Sequence, residues 1–172
     1  MQDNVVETPR LVMRPPTRDD LADSLTLWTD MRVLKHLSGK PNTREEVWQR
    51  LLRYAGMWHL LGFGFWIVRD RATGRFLGEI GFLDGCRDLE PAITDTEMGW
   101  SLVPEAQGQG LAGEAVRAGL SWYAARFGHQ RIVCLIHPDN AASLRLADRC
   151  GFREYARTTY KEQPGVLLAR VA

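Results

Sequence analysis

The spacing of apolar residues changes period twice along the chain, and this limits the folds that the sequence can adopt. Up to about residue 61 the apolar residues recur at helical spacing, in two segments that residues 39–42 separate. Between residues 63 and 83 they alternate at the period of a strand, around a turn whose Gly74 suits a positive φ. Helical spacing returns after residue 110. The pattern excludes an all-helical fold and an all-strand fold.

The predicted elements follow the order β-α-α-β-β-β-α-β-α-β-β. Thr17 or Asp19 can cap the first helix, and Thr43 opens the second with Glu46 three residues later, a capping-box pattern. Strands are predicted at residues 10–14, 63–69, 75–83, about 94–103 and 131–136, with a final pair closing the chain. We predict an α+β (mixed α/β) fold in a single domain over residues 1–172, with helices around a mixed sheet.

The periodicity also predicts which side chains are buried. The two N-terminal helices each have one apolar stripe, and the second strand of the hairpin places four residues on one face. These sets are Leu21, Leu25, Trp28 and Met31; Val47, Leu51, Tyr54, Trp58 and Leu61; and Phe76, Gly78, Ile80 and Phe82.

Charge and cysteine content exclude several classes of protein. The chain has 22 Lys+Arg against 21 Asp+Glu, a balance that argues against a nucleic-acid surface and against binding to an anionic membrane. It has no apolar run of membrane-spanning length, and residues 1–7 lack the pattern of a signal peptide. None of the three cysteines forms a C-x-x-C pair, so we expect no metal site. These features predict a reduced, cytoplasmic protein.

A glycine-rich segment at residues 108–113 has the form G-x-G-x-x-G, after a strand and at the start of a helix. Glycines and a helix N-terminus favour a bound phosphate. A dinucleotide fold is disfavoured, because residues 104–107 separate the strand from the glycines and an antiparallel hairpin precedes it. A phosphate site and a helix start without any ligand both remain open at this point.

Taken from residue 107, the same loop has the form Q-x-x-G-x-A, and three further segments accompany it. They are residues 9–15 (PRLVMRP), residues 97–104 (EMGWSLVP), and residues 137–143 (HPDNAAS) leading to Cys150-Gly151-Phe152. In this order and spacing they resemble the GNAT superfamily of acetyl-CoA-dependent N-acetyltransferases, specifically its RimJ/RimL-like branch, the ribosomal-protein N-acetyltransferases. The resemblance covers nearly the whole chain and implies a GNAT fold, with a twisted mixed sheet that is splayed in the middle.

The resemblance implies acetyl-CoA as cosubstrate. Backbone N–H groups of the loop and the helix start would hold its pyrophosphate, with small residues keeping the approach clear; these positions are Gln107, Gly108, Gln109, Gly110, Leu111, Ala112 and Gly113. Leu102 and Val103 match the strand that pairs with pantetheine, and a backbone N–H within residues 98–101 would polarise the thioester carbonyl. Asn140 would contact the pantetheine, cap the helix, or do both. Arg117 either reaches a phosphate or lies in solvent.

Catalysis by such an enzyme needs a neutral amine and a proton for the departing thiolate. Glu97 matches the strand position of a base in many relatives, and Asp95 and His137 are alternatives. The tyrosine that protonates the thiolate in much of the superfamily is replaced here by Ala147. Ser143 matches a serine of the RimJ/RimL-like branch and is our candidate near the sulfur; a role in helix capping is the alternative.

The predicted activity is transfer of an acetyl group to a primary amine by direct attack in a ternary complex. The acceptor is a protein N-terminal α-amine or a small-molecule amine, with one wall of its groove formed by the helical pair at residues 18–61. No acidic cluster suggests a polycationic acceptor. The alternative is a non-catalytic acyl-CoA-binding or regulatory module of the same fold. We expect a monomer or a homodimer, with no nucleic acid or membrane partner.

Overall fold

Eight strands form one sheet in the computed structural model, which describes residues 4–170. In chain order they are β1 (Val6–Glu7), β2 (Leu11–Arg14), β3 (Phe65–Asp70), β4 (Phe76–Leu83), β5 (Thr96–Leu102), β6 (Ile132–Ile136), β7 (Arg153–Tyr160) and β8 (Gln163–Arg170). Their order across the sheet is β1-β2-β3-β4-β5-β6-β8-β7. All neighbouring pairs are antiparallel except β5 and β6, which are parallel.

Five α-helices flank this sheet: α1 (Leu21–Trp28), α2 (Met31–Leu34), α3 (Arg44–Leu60), α4 (Leu111–Phe127) and α5 (Ala141–Arg149). The predicted mixed fold with flanking helices is therefore confirmed. The predicted domain and the N-terminal segment considered above include residues 1–3 and 171–172, which lie outside the described residues. No helix within residues 4–170 is long and apolar enough to cross a membrane.

Local sequence signals set several of these boundaries. Thr43 and Glu46 form the predicted capping box at the start of α3. Asp70 accepts hydrogen bonds from the backbone of residues 72 and 73, and Gly74 completes the β3–β4 turn with φ +72°. Only a residue that tolerates a left-handed backbone fits there, which accounts for the glycine.

Helices cover both faces of the N-terminal half of the sheet. One core packs α4 against the sheet around Trp66, Phe82 and Met98, and the other packs α1 and α3 around Ile67 and Tyr54. All eight residues of β4 are buried as a result. An alternating pattern is typical of a half-buried strand, whereas β4 is covered on both faces.

The register of the hairpin also differs from the predicted pattern. Phe76 packs in the core beneath α1 and α3, whereas Ile80 and Phe82 pack against α4. The β3–β4 ladder is irregular between Val68 and Arg69, and one extra residue in a strand exchanges its faces. Phe76 therefore does not share a face with Ile80.

The helical stripes are only partly as predicted. Met31 of the first stripe and Leu61 of the second are exposed, and on α1 the side chains of Ser24 and Leu27 are buried although the stripe did not include them. Helix α1 ends at Trp28, before the stripe reaches Met31. Met31 belongs to the separate helix α2. Its side chain therefore does not lie on the face where one continuous helix would place it.

The sheet opens between its two central strands. Strands β5 and β6 pair only at Thr96 with Ile132 and at Glu97 with Val133. Beyond these two pairs the strands diverge, so the last five residues of β5 have a neighbour on the β4 side alone. This gap is the feature that positions the site.

Candidate active site

A cleft of about 900 Å³ opens at the gap between β5 and β6. Its walls come from α2 and α3 on one side and from the glycine-rich loop, the start of α4 and α5 on the other. Most residues predicted to form a site line this one cleft: Glu97, Leu102, Gln107, Gly108, Gly110, Leu111, Ala112, Gly113, Asn140 and Ser143. Val103 and Gln109 do not line it.

The glycine-rich loop presents the start of α4 to the cleft without a side-chain cap. Gly110 is the N-cap residue in the left-handed region, with φ +75°, and Gly108 has the same φ. Among residues 4–170, no side chain caps the first turn of α4, whereas Asn140 and Thr43 cap their own helices. The uncapped N–H groups and the positive end of the helix dipole are suited to a phosphate.

An ion pair missed at the sequence level holds this loop from outside. Arg10 donates from Nη1 to the Gln109 carbonyl at 2.9 Å and from Nε to Glu114 Oε2 at 2.7 Å. Thr8 Oγ1 donates to the other oxygen of Glu114 at 2.6 Å. Burial opposes ionisation of Glu114, but hydrogen bonds from Thr8 and Arg10 lower the pKa of its carboxyl below the usual range. Arg10 lies in a segment quoted for the resemblance, and that was the only signal for it.

The backbone of β5 is directed into the gap at alternate residues. The N–H of Val103 donates to the Leu77 carbonyl of β4 at 3.0 Å, which sets the phase of the ladder. Alternate residues of an antiparallel strand direct their N–H and C=O groups to the same side. In the β4–β5 register, Trp100 and Leu102 therefore direct theirs away from β4, towards the gap.

The two positions predicted to pair with pantetheine, Leu102 and Val103, differ in which backbone groups they leave open to a ligand. Both backbone groups of Val103 are used inside the protein, since its carbonyl accepts from the N–H of Ala106 at 2.9 Å. The structure does not offer Val103 to a ligand, because β4 and the turn before the loop already satisfy it. The Leu102 carbonyl accepts from Gln107 Nε2 at 2.9 Å, which leaves the Leu102 N–H directed into the gap.

Helix α5 brings Ser143 to the opposite wall of the gap. Asn140 caps the helix, because its Oδ1 accepts from the Ser143 N–H at 3.1 Å. The Ser143 hydroxyl oxygen accepts from Trp100 Nε1 at 3.2 Å. Ala147 is fully buried in the core, so this position presents no polar group to the cleft. The contact from Trp100 could not be found from spacing, because it joins two separate elements.

The three candidate bases differ in their surroundings. Glu97 is buried at the cleft wall, and its two oxygens accept from Arg87 Nε at 2.6 Å and Nη2 at 2.7 Å. Asp95 is paired with Arg131 and does not line the cleft. His137 lines the cleft, but its Nδ1 accepts from the Asp139 N–H at 3.1 Å. Of the three, only Glu97 combines a place in the cleft with a carboxylate.

Cationic side chains surround the loop, and metal ligands do not. Arg117, Arg145 and Arg149 line the cleft on α4 and α5. Within residues 4–170, no group of three or more His, Cys, Asp or Glu is placed to hold a metal ion. Burial raises the pKa of the Cys134 thiol at the cleft wall well above its usual range, so this cysteine stays a protonated thiol.

Comparison with known proteins places this geometry in a family. The model of the acetyltransferase (GNAT) domain matches residues 10–153. The uncharacterized protein YkkB of Bacillus subtilis is 33 % identical over 138 residues, which are 78 % of this chain and 76 % of that protein. A solved GnaT-family structure from Bordetella pertussis is 33 % identical, with a TM-score of 0.86 over 97 % of this chain and 99 % of that chain.

The fold also occurs in a more distant enzyme. The structure of RimL, a ribosomal L7/L12 α-N-protein acetyltransferase in complex with coenzyme A, has a TM-score of 0.78. It is 18 % identical and covers 97 % of each chain, a likeness that extends to the fold alone. The RimJ/RimL-like branch therefore stays a prediction, whereas the family match covers most of the chain. This chain belongs to the GNAT acetyltransferase family.

Proposed function

We propose that this protein transfers an acetyl group from acetyl-CoA to a primary amine, by direct attack of the amine within a ternary complex. The observation that carries the proposal is the meeting of three features in one cleft. They are the uncapped start of α4, the open side of β5 beyond Glu97, and the Ser143 hydroxyl. Together they match a long molecule with phosphates at one end and a reactive thioester at the other.

The loop and the strand would bind the two ends of acetyl-CoA. The N–H groups of residues 107–113 are our candidates for its pyrophosphate, with Arg117 beside them. The backbone groups of Leu102 and Trp100 are our candidates for the pantetheine arm, which carries amide groups of its own. The N–H of Trp100 lies within residues 98–101, the stretch predicted to polarise the thioester carbonyl. A fixed donor at that carbonyl stabilises the negative charge that develops on its oxygen.

Glu97 is our candidate for the base. A carboxylate has about four lone-pair sites, so the two hydrogen bonds from Arg87 leave room for a further donor. Arg87 also fixes the carboxylate against the cleft wall. The carboxylate can therefore act as a base only on an amine that is bound next to it. An α-amine with a pKa of about 7.7–8.0 needs less help at neutral pH than a lysine amine at about 10.4.

Ser143 is our candidate for the proton donor to the departing thiolate. Its oxygen is occupied by the indole N–H of Trp100, which is a donor only. The hydroxyl hydrogen is therefore free to be given to a ligand. Asn140 fixes the backbone of the same turn and so orients the serine.

The second candidate function is a module that binds acyl-CoA without turnover, favoured by the alanine at position 147. Thermal unfolding with and without acetyl-CoA comes first, because a ligand that binds the folded state raises the melting temperature. The absence of a rise at millimolar acetyl-CoA contradicts both functions. CoA release, measured over a panel of amines and peptides with free N-termini, then separates them: amine-dependent release supports the enzyme, and binding without release supports the module.

A further inference from the structure

The cleft is strongly cationic although the chain is nearly neutral. Eight arginine and lysine side chains line it, against the two carboxylates of Glu97 and Asp139. The whole chain has 22 basic and 21 acidic residues, so the positive charge is concentrated here. A cleft lined by one sign of charge attracts ligands of the opposite sign.

The cations fall into two groups on opposite walls. Arg117, Arg145 and Arg149 lie on α4 and α5, next to the glycine-rich loop that we assign to phosphate. The other five lie on α2, on α3, or in the segments that follow α2 and β4; they are Arg32, Lys35, Arg50, Arg53 and Arg87. Helices α1 and α3 pack on the face of the sheet opposite α4. The phosphates of CoA therefore account for the first group and not for the second.

Internal ion pairs neutralise only part of the second group. Arg32 contacts Asp30 at 2.5 Å and Glu105 at 3.1 Å, and Arg87 is bound by Glu97. Within residues 4–170, the ion pairs do not include Lys35, Arg50 or Arg53.

Arg50 is held in place by aromatic groups. Its guanidinium carbon lies 3.6 Å from the centroid of the Trp28 ring, and its Nη1 donates to Tyr54 Oη at 3.3 Å. Its Nε is buried and has no hydrogen-bond partner among the described residues. A guanidinium fixed on an aromatic ring keeps its donors oriented, which suits recognition of a carboxylate.

The buried carboxyl of Glu79 lies near Arg50 without forming an ion pair with it among the described residues. Its oxygens accept from Ser24 Oγ at 2.7 Å and from Trp28 Nε1 at 2.8 Å, and it makes no ion pair with any cation of residues 4–170. Burial raises the pKa of Glu79 above its ordinary value. The charge of Arg50 partly offsets that rise, and the indole of Trp28 contacts both groups.

We propose that the acceptor is an amine that carries carboxylate groups, and that Lys35, Arg50 and Arg53 bind them. This inference rests on the proposed acetyl transfer and names the class of its second substrate. The same positive charge disfavours a polyamine, since like charges brought together in a cleft repel.

The test compares acceptors that differ in charge and not in size. One arm uses glutamate against glutamine as small-molecule amines, and the other uses a peptide with N-terminal Ser-Glu-Glu against Ser-Gln-Gln. We expect kcat/KM to be about tenfold higher or more for the charged member of at least one pair, because hydrogen bonds to ionised groups are the stronger ones. The arm with the larger ratio distinguishes a small molecule from a peptide.

Two variants connect that preference to the proposed residues. Lys35 and Arg53 are exposed, so Lys35→Gln and Arg53→Gln should fold and should each reduce the ratio several-fold. Arg44→Gln removes the same charge from the first turn of α3, outside the cleft, and should leave the ratio unchanged. Equal reduction by all three variants contradicts the proposal, because it indicates a general effect of charge.

Binding of the acceptors is measured as well, so that recognition of carboxylates is tested separately from turnover. Calorimetric titration of the two peptides and the two amino acids into CoA-saturated protein should show tighter binding of the charged members. If amines are acetylated but the charged and neutral members are equivalent in rate and binding, this inference fails and the acetyltransferase stands. If no amine is acetylated while the charged members bind preferentially, the proposed function fails and with it the acceptor assignment, whereas carboxylate binding by Lys35, Arg50 and Arg53 stands.

Discussion

Trp100 and Ser143 face each other across the gap in the sheet, and the indole Nε1 of the first donates to the hydroxyl of the second at 3.2 Å. The indole also packs near Phe152, with the two ring centroids 6.3 Å apart and the rings tilted by 58°. Because the indole nitrogen cannot accept, the direction of this hydrogen bond is unambiguous. The strand that we assign to pantetheine therefore also orients the serine that we assign to its sulfur.

Removal of the Ser143 hydroxyl should lower kcat by roughly a hundredfold, the usual scale for a positioned proton donor. Ser143→Ala should leave the melting temperature and the KM for acetyl-CoA nearly unchanged, since the Asn140 cap uses only the backbone of Ser143. Steady-state kinetics of CoA release measure this. An unchanged kcat means that the serine serves packing alone.

Trp100→Phe should lower kcat less than Ser143→Ala does, because it removes the N–H and keeps a ring against Phe152. In the Ser143→Ala background the same change should have almost no effect on kcat, since the two side chains act as one unit. Additive losses in the double variant would indicate that Trp100 acts independently of the serine.

Glu97→Gln should lower kcat/KM by about a hundredfold at pH 7, as loss of a general base does. The deficit should shrink at pH 9 with an α-amine acceptor, because an amine of pKa about 7.7–8.0 is then mostly neutral without help. A pH profile of both proteins measures this. A deficit of the same size at both pH values indicates that Glu97 only holds Arg87, and a melting curve of the variant reports the loss of that ion pair.

Loss of the Arg10 side chain should weaken acetyl-CoA binding about tenfold, because charge-assisted hydrogen bonds hold the loop at the Gln109 carbonyl. Calorimetry on Arg10→Met measures this. Arg18→Met is the matched control: Arg18 is also exposed, precedes α1 and does not line the cleft. Equal affinities of the two variants would show that the loop keeps its shape unaided.

Asp20 should contribute about 2 kcal/mol to the free energy of unfolding at pH 7. Burial opposes its ionisation, but hydrogen bonds from Arg14, the Thr17 N–H and Arg69 outweigh burial and lower the pKa to about 2. Since the folded state has the lower pKa, this stability is present above about pH 4 and is lost as the pH falls towards 2. Denaturant unfolding of Asp20→Asn should therefore show the loss at pH 7 and little at pH 2.

Asp23→Asn provides the comparison for that measurement. Asp23 contacts the same Arg69 at 2.6 Å, but its side chain is 38 % exposed. Water screens such a pair, so its loss should cost well under 1 kcal/mol. Equal destabilisation by the two variants would mean that burial at Asp20 adds nothing.

The sequence predicts the parts of this molecule that depend on neighbours along the chain. The Thr43 cap, the Gly74 turn and the α4 start after Gly110 each follow from a few adjacent residues. The candidate site was predictable to the same extent, because its loop and the Asn140 turn are contiguous segments. Their meeting in one cleft follows from the resemblance and not from the periodicity.

The parts that were missed depend on what covers an element. The alternating pattern of β4 indicates that Glu79 faces solvent. In the structure it is buried, because α1 lies over that side of the strand. The Arg87–Glu97 pair joins positions 10 residues apart, and the Arg10–Glu114 pair joins positions 104 residues apart. No local pattern specifies the path of the chain between either pair. The five basic residues on the α2 and α3 side of the cleft were missed, because the net charge of +1 describes the whole chain and not where its charges lie.

The gap between β5 and β6 gives this protein a sheet edge in an unusual place. Exposed edges at the outside of a sheet recruit other chains and lead to aggregation. Here the unpaired groups of β5 lie between two halves of a sheet, with α4 and α5 beside them. They are recessed in a cleft of about 900 Å³ and do not lie at an outer edge of the sheet. The fold thereby keeps an open strand edge away from the outside of the sheet, where pairing with another chain begins.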